Sequence, residues 1–232
     1  MTPADRIFVA LDTADEKTAL DLAGRLNGLV GGVKLGKEFF TACGPEGVRR
    51  VAATGAKVFL DLKFHDIPAT VAGAVKAALR LKPFMLNVHA SGGAAMMRAA
   101  VAAAGPAGAG RPLLLAVTVL TSLADRDLAA IGIPGTADRQ VLRLAALAKG
   151  SGLDGVVCSA REVKALRQAL GSDFTLVVPG IRPAWAAADD QKRVTTPKDA
   201  LAAGADYLVI GRPITGADDP AEAAKRIASE LA

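Results

Sequence analysis

The run Asp61-Leu62-Lys63-Phe64-His65-Asp66 places two carboxylates and an ammonium group within six residues. Residues two apart on a strand point the same way, so Asp61 and Lys63 at a strand end would project together, with Asp66 just beyond it. Asp12 closes one further strand-like run and Lys34 lies in another. Two ammonium groups and up to three carboxylates would then share one rim. Carboxylates held together repel, and interleaved lysines relieve that repulsion while keeping their own protons. A structural ion pair accounts for any one of these residues alone. Their convergence at strand ends argues for use, because charges seldom enter such a position unless paired or functional.

A second chemical signal is Val209-Ile210-Gly211-Arg212-Pro213. Gly211 lets a backbone N–H approach an oxyanion, and Arg212 can add a planar fork of donors to phosphate oxygens. A phosphorylated substrate follows from that pairing, against the plainer reading of a turn glycine beside a surface arginine. Further upstream, Val178-Pro179-Gly180-Ile181-Arg182-Pro183 leads into a segment carrying Asp189, Asp190, Gln191, Lys192 and Arg193. Such a loop could close on the phosphate through Gln191 and exclude water. A solvated charged loop accounts for the same residues.

Short apolar, β-branched runs alternate with Ala-rich stretches of helical length, the pattern of parallel strands joined by crossover helices. Strands are expected over residues 7–12, 32–36, 57–63, 84–90, 113–120, 153–159, 175–180 and 205–211, and several lack polar alternation, as strands covered on both faces do. Helical periodicity marks residues 15–26, 67–81, 93–104, 159–170 and 220–231. Thr13, Ser159 and Thr196 or Pro197 are candidate starts, and Gly28, Gly55, Gly105, Gly171 and Gly204 candidate stops. Eight βα units without a composition break imply an α/β fold, a closed (β/α)8 TIM barrel formed by residues 1–232 as a single domain. Two connections, residues 121–138 and 181–195, are longer than a barrel turn needs, and both follow strands at the C-terminal face, where such barrels build active sites.

Composition narrows the class further. The chain has 232 residues, 51% of them hydrophobic, with one Trp and one Tyr, so its core is aliphatic. A formal charge of +5 would help to steer an anionic ligand, yet Lys and Arg are scattered and no basic run is longer than a pair such as Arg49-Arg50. Without a basic stripe or interleaved aromatics, a nucleic-acid-binding role is not expected. The strongest apolar stretch, 113–120, is far short of the roughly 20 residues that cross a bilayer, and residues 1–6 lack the layout of a signal peptide. Cys43 and Cys158 have no close-spaced partner, so neither a disulfide framework nor a thiolate metal site is suggested, and a soluble protein of the reducing cytoplasm is expected. His65 and His89 are too few for a zinc site and read as structural.

Taken together, Asp61 to Thr70, Val117-Thr118-Val119-Leu120-Thr121-Ser122, Pro179-Gly180-Ile181-Arg182-Pro183, Asp190-Gln191-Lys192-Arg193-Val194 and Ile210-Gly211-Arg212-Pro213 closely resemble the bacterial orotidine 5′-monophosphate decarboxylase family. The resemblance runs in order over nearly the whole chain. Ala69 and Val178 depart from the family's more frequent Asn and Thr, at positions that carry no chemistry. The resemblance implies a cofactor-free decarboxylase that makes UMP in the last step of de novo synthesis. It makes Lys63 the proton donor, with Lys34, Asp61 and Asp66 completing the charged array. Asp12 and Lys34 would hold the ribose hydroxyls, Thr121 and Ser122 the pyrimidine, and Arg182, Gln191, Gly211 and Arg212 the phosphate, with Ile67 and Pro179 also against substrate. A homodimer is implied, in which Asp66 and Thr70 reach the partner's active site. The neighbouring reading is a Mg²⁺-dependent sugar-phosphate decarboxylase or aldolase of similar fold, in which a carboxylate follows the second strand; Lys34, a cation in that region, argues against it.

Overall fold

Eight parallel strands close into a barrel in chain order, β1-β2-β3-β4-β5-β6-β7-β8, as the alternation of elements demands. The strands are β1 (Ile7–Ala10), β2 (Gly32–Gly36), β3 (Val58–Phe64), β4 (Met85–His89), β5 (Leu113–Val117), β6 (Gly155–Val157), β7 (Thr175–Pro179) and β8 (Tyr207–Ile210). The computed structural model describes residues 1–108, 110–186 and 195–231. Among them the principal crossover helices are α1 (Glu16–Leu26), α2 (Lys37–Ala53), α3 (Pro68–Leu79), α4 (Gly93–Ala104), α5 (Asp125–Ala130), α6 (Ala137–Gly150), α7 (Val163–Leu170), α8 (Pro197–Ala202), α9 (Arg212–Thr215) and α10 (Pro220–Glu230).

All eight expected strands form, most of them shorter than their apolar runs, which at β1, β5 and β7 continue into the loop above the barrel. Helix starts differ more. Asp15, not Thr13, caps α1, its carboxylate accepting the Thr18 N–H. Ser159 does not cap α7, which begins four residues later at Val163; its backbone N–H is bound instead by the Glu162 carboxylate. Thr196 does cap α8 through the Asp199 N–H, and Pro197 fills the first turn. Gly105 and Gly171 end α4 and α7 at φ of 84° and 79°, a region where only glycine is unstrained. The helix after β2 is broken near its middle by Gly44 and Pro45.

Alternation along the strands sends one set of side chains outward against the helices and the other into the barrel. The outward set, with Leu35, Leu60, Leu86 and Leu208 among its fully buried members, forms the large aliphatic core. Inside, Phe8, Phe59, Met85, Leu115, Val177 and Tyr207 fill the lower barrel. Phe8 stacks on Phe84 at 5.6 Å and meets Tyr207 edge to face. Gly32 is small because a Cβ there would fall 2.6 Å from the Phe8 ring. The lower end is also pinned by ion pairs: Arg111 grips Asp154 at 2.7 and 2.8 Å, and Arg167 holds Asp206 at 2.7 Å. Above this plug the inward residues change character, from Phe8 to Asp12, Phe59 to Asp61 and Met85 to Asn87. That change opens the C-terminal end to polar chemistry.

Candidate active site

Lys34, in the middle of β2, is 9% exposed and points up into the mouth of the barrel. Its Nζ donates to Asp12 Oδ1 at 2.8 Å and lies 3.5 Å from Asp61 Oδ2. Gly36 leaves room for this pair, since a Cβ there would sit 3.2 Å from that Nζ. On β3, Lys63 Nζ donates to Asp61 Oδ1 at 2.6 Å. The four groups therefore alternate in sign, Asp12, Lys34, Asp61, Lys63, across three neighbouring strands. Burial alone would push the Asp61 carboxyl up, but the charges of Lys34 and Lys63, with hydrogen bonds from Lys63 and Asn87, hold it below the usual carboxylate range. Asp61 is thus a fixed negative charge in a poorly solvated site.

The pleat does not bring Asp61 and Lys63 together in the simple way that residues two apart would suggest. Lys63 has φ of 53°, a left-handed backbone that is uncommon away from glycine, and the β3–β4 ladder shifts register between Leu60 and Phe64. The bulge turns Lys63 so that its side chain folds back on Asp61. Sequence reasoning missed Asn87, which is fully buried and donates to Asp61 Oδ1 at 2.7 Å while accepting the Lys63 N–H at 2.8 Å. A polar residue between Leu86 and Val88 in a buried strand was the available signal.

Asp66, Ile67 and Thr70 are exposed beside this rim, Ile67 to 66%. The Asp66 carboxylate accepts the Ile67 N–H at 2.6 Å. Thr121, Ser122 and Pro179 line a cavity of about 860 Å³ above β5, β6 and β7, together with Gly180 and Thr195. The alternating charges are not part of that lining. Arg182 is 6% exposed, and the chain beyond it leaves and returns at one point: Ile181 bridges Thr195 and the Arg182 N–H donates to the Thr195 carbonyl at 3.2 Å. Gln191 and the charged run 189–193 lie outside the described residues. Gly211 and Arg212 stand at the top of β8, Gly211 packing near Ala10 of β1 and Arg212 opening the short α9 with an exposed side chain.

His89 ends β4 and packs on His65 with ring centroids 5.5 Å apart. Burial first, then the neighbouring His65, Lys37 and Lys63, lower its pKa to about 4, so it is neutral near pH 7. Among the described residues no group of three or more His, Cys, Asp and Glu gathers as metal ligands, and no helix is long and apolar enough to cross a membrane.

Comparison with known proteins points to one family. Residues 5–227 match the model of the family described as orotidine 5′-phosphate decarboxylase / HUMPS. The chain is 58% identical over 230 residues to the orotidine 5′-phosphate decarboxylase of Rhodospirillum rubrum, covering 97% of this chain and 93% of that protein. It is 54% identical to the enzyme of the same name from Saccharophagus degradans, covering 99% and 96%. The crystal structure of orotidine 5′-phosphate decarboxylase from Lactobacillus acidophilus superposes with a TM-score of 0.85 at 41% identity, over 97% of this chain and 98% of that one.

Proposed function

The chain belongs to the orotidine 5′-phosphate decarboxylase / HUMPS family, and from that membership we propose that it converts orotidine 5′-monophosphate to uridine 5′-monophosphate and CO2 without a cofactor. The observation that carries the reading is the alternation Asp12, Lys34, Asp61, Lys63 at the mouth of the barrel, linked at 2.8, 3.5 and 2.6 Å.

Breaking the bond between C6 and the carboxylate leaves an electron pair in the plane of the pyrimidine, where the ring π system cannot take it up. Electrostatics must then supply the barrier reduction, toward the upper end of the roughly 8–23 kcal/mol that enzymes provide. The Lys63 ammonium faces the developing carbanion, stabilises it and protonates C6; solvent then restores the proton on Nζ. Asp61 keeps Lys63 in place and sets a fixed negative charge beside the departing carboxylate. Lys34 balances Asp61 and, with Asp12, takes the ribose hydroxyls.

Thr121 and Ser122 hold the pyrimidine, Ile67 and Pro179 pack against the nucleotide, and Arg182, Gln191, Gly211 and Arg212 grip the phosphate. Binding energy from that remote group, used to close the site, lowers the barrier at C6 and so raises kcat. The active unit is a homodimer in which Asp66 and Thr70 enter the neighbouring site; their exposure beside Ile67 supports this. The free cysteines Cys43 and Cys158 fit a reducing, cytoplasmic location.

The test is release of CO2 from carboxyl-labelled orotidine 5′-monophosphate, with and without EDTA. Equal turnover in both supports the proposal. Release abolished by the chelator overturns the cofactor-free reading in favour of a divalent-metal reaction, and no release under either condition overturns the decarboxylation itself.

A further inference from the structure

The register of β3 against β4 is broken where the chemistry sits. Leu60 pairs with Leu86 and Phe64 with Val88, so Asp61, Leu62 and Lys63 together face the single residue Asn87. Such a bulge removes ladder hydrogen bonds from the bulged strand. A non-glycine residue at positive φ is strained, and it is held there only when its surroundings over-determine it. For Lys63, with φ of 53°, the supporting group is the Asn87 side chain.

The Asn87 amide is used at both ends. Its Oδ1 accepts the Lys63 N–H at 2.8 Å, the donor that the interrupted ladder leaves over, and its Nδ2 donates to Asp61 Oδ1 at 2.7 Å. The same carboxylate oxygen receives Lys63 Nζ at 2.6 Å. Asn87, the two ends of Lys63 and Asp61 thus form a closed ring of hydrogen bonds around one acceptor. The orientation of the amide follows from its neighbours, since the carboxylate can only accept and the backbone N–H can only donate. Asn87 is fully buried, so water cannot take over either bond.

We propose that Asn87 is a positioning residue for the reaction: it clamps the backbone of Lys63 in the left-handed turn and fixes the Asp61 carboxylate, so that Nζ is aimed at the reacting carbon. The proposal rests on the functional reading above and adds a residue to it. Asn87 touches neither substrate nor the transferred proton. It acts on kcat by setting where the ammonium stands, and a misplacement of about 1 Å at such a group lowers rate about a hundredfold. Nucleotide affinity is set by the phosphate and ribose contacts and is left alone.

Two variants and two readouts test this. In Asn87→Leu both polar contacts are gone, and kcat should fall about a hundredfold, with KM and UMP binding near the parent values. Asn87→Asp keeps the shape. Protonated, it donates to Asp61 and accepts from Lys63 as the amide does; ionised, it sets two carboxylates against each other. Its kcat should therefore decline as pH rises, over a range where the parent is flat.

A crystal structure of Asn87→Leu should show Lys63 out of its left-handed conformation and Nζ withdrawn from Asp61. The proposal is overturned by unchanged kcat, by a loss confined to KM, by an Asn87→Asp profile that superimposes on the parent's, or by an unmoved Lys63. It is equally overturned if neither variant folds to bind UMP, which would make Asn87 a residue of the fold alone. A parent protein inactive on orotidine 5′-monophosphate would instead reject the functional reading, and the crystal structure would still judge the clamp.

Discussion

Lys63 Nζ lies 2.6 Å from Asp61 Oδ1, and it reaches that position from a backbone at φ of 53°. The ammonium proposed to act on substrate is thereby built on a strand end but held by a bulge, with Lys34 on the far side of the same carboxylate at 3.5 Å. Because Asp61 is shared by two cations and an amide, its ionised form is the one the site is built around. The consequences reach from nucleotide binding to the acid stability of the fold.

Loss of Arg212 from the proposed phosphate anchor should weaken nucleotide binding. Arg212→Ala deletes charge-assisted donors worth about 1.5–3 kcal/mol, so UMP affinity should fall by roughly one to two orders of magnitude. Isothermal titration with UMP checks this, and an affinity unchanged by the substitution would move the phosphate elsewhere.

Sharing of Asp66 across a dimer has an arithmetic signature. Lys63→Ala and Asp66→Ala homodimers should each be inactive. Mixed after dissociation and reassociation, half the dimers are mixed and one of their two sites is intact, so about a quarter of parental activity should return. Failure of the mixture to regain activity would confine Asp66 to its own chain, where it now binds the Ile67 N–H.

Acid should weaken the fold in two windows. His89 titrates at about 4 folded against 6.5 unfolded, so between those values the unfolded chain binds more protons and stability falls as pH falls. The ring is partly exposed, which reduces its contribution at pH 5 to about 1 kcal/mol, or some 2–4 °C in Tm. Asp61 adds a second loss lower down: its folded pKa is depressed, so its stabilisation is present above 3.8 and disappears as pH drops through the folded value. Melting curves of the parent and His89→Gln from pH 7 to 5 should diverge on acidification, the variant changing less. Parallel curves would contradict the assignment.

The N-terminal end of the barrel should matter for stability and not for turnover. Arg111→Ala would strand the Asp154 carboxylate, which also accepts the Leu114 N–H at 2.7 Å, and breaking a buried pair from one side costs about 3–5 kcal/mol. Urea unfolding should show that loss while kcat of the folded fraction stays at the parental value. A variant as stable as the parent would show that solvent already shares the pair.

Much of this was legible in the residues before any coordinates. The eight strands announced themselves because apolar runs covered on both faces are hard to confuse with loops, and Asp12, Asp61 and Lys63 stood out as charges at or near their ends, with Lys34 as a charge inside one. Helix starts were less readable: Thr13 and Asp15 are both capable caps, and the choice depends on which oxygen meets the Thr18 N–H. The bulge at Lys63 was invisible, since nothing in Asp61-Leu62-Lys63 distinguishes a regular strand from a left-handed turn. Its cause lies in a different strand, at Asn87. Pairings between elements far apart in sequence are what single-residue patterns leave out.

The most direct test of the account is the turnover of Lys63→Ala on orotidine 5′-monophosphate, with UMP binding and Tm measured on the same preparation. In the proposed mechanism, loss of the ammonium removes both the charge facing C6 and the proton delivered to it, and turnover should fall at least about 10⁴-fold while UMP binding and Tm remain close to the parent's. A Lys63→Ala protein that released CO2 at a rate comparable to the parent's would contradict it.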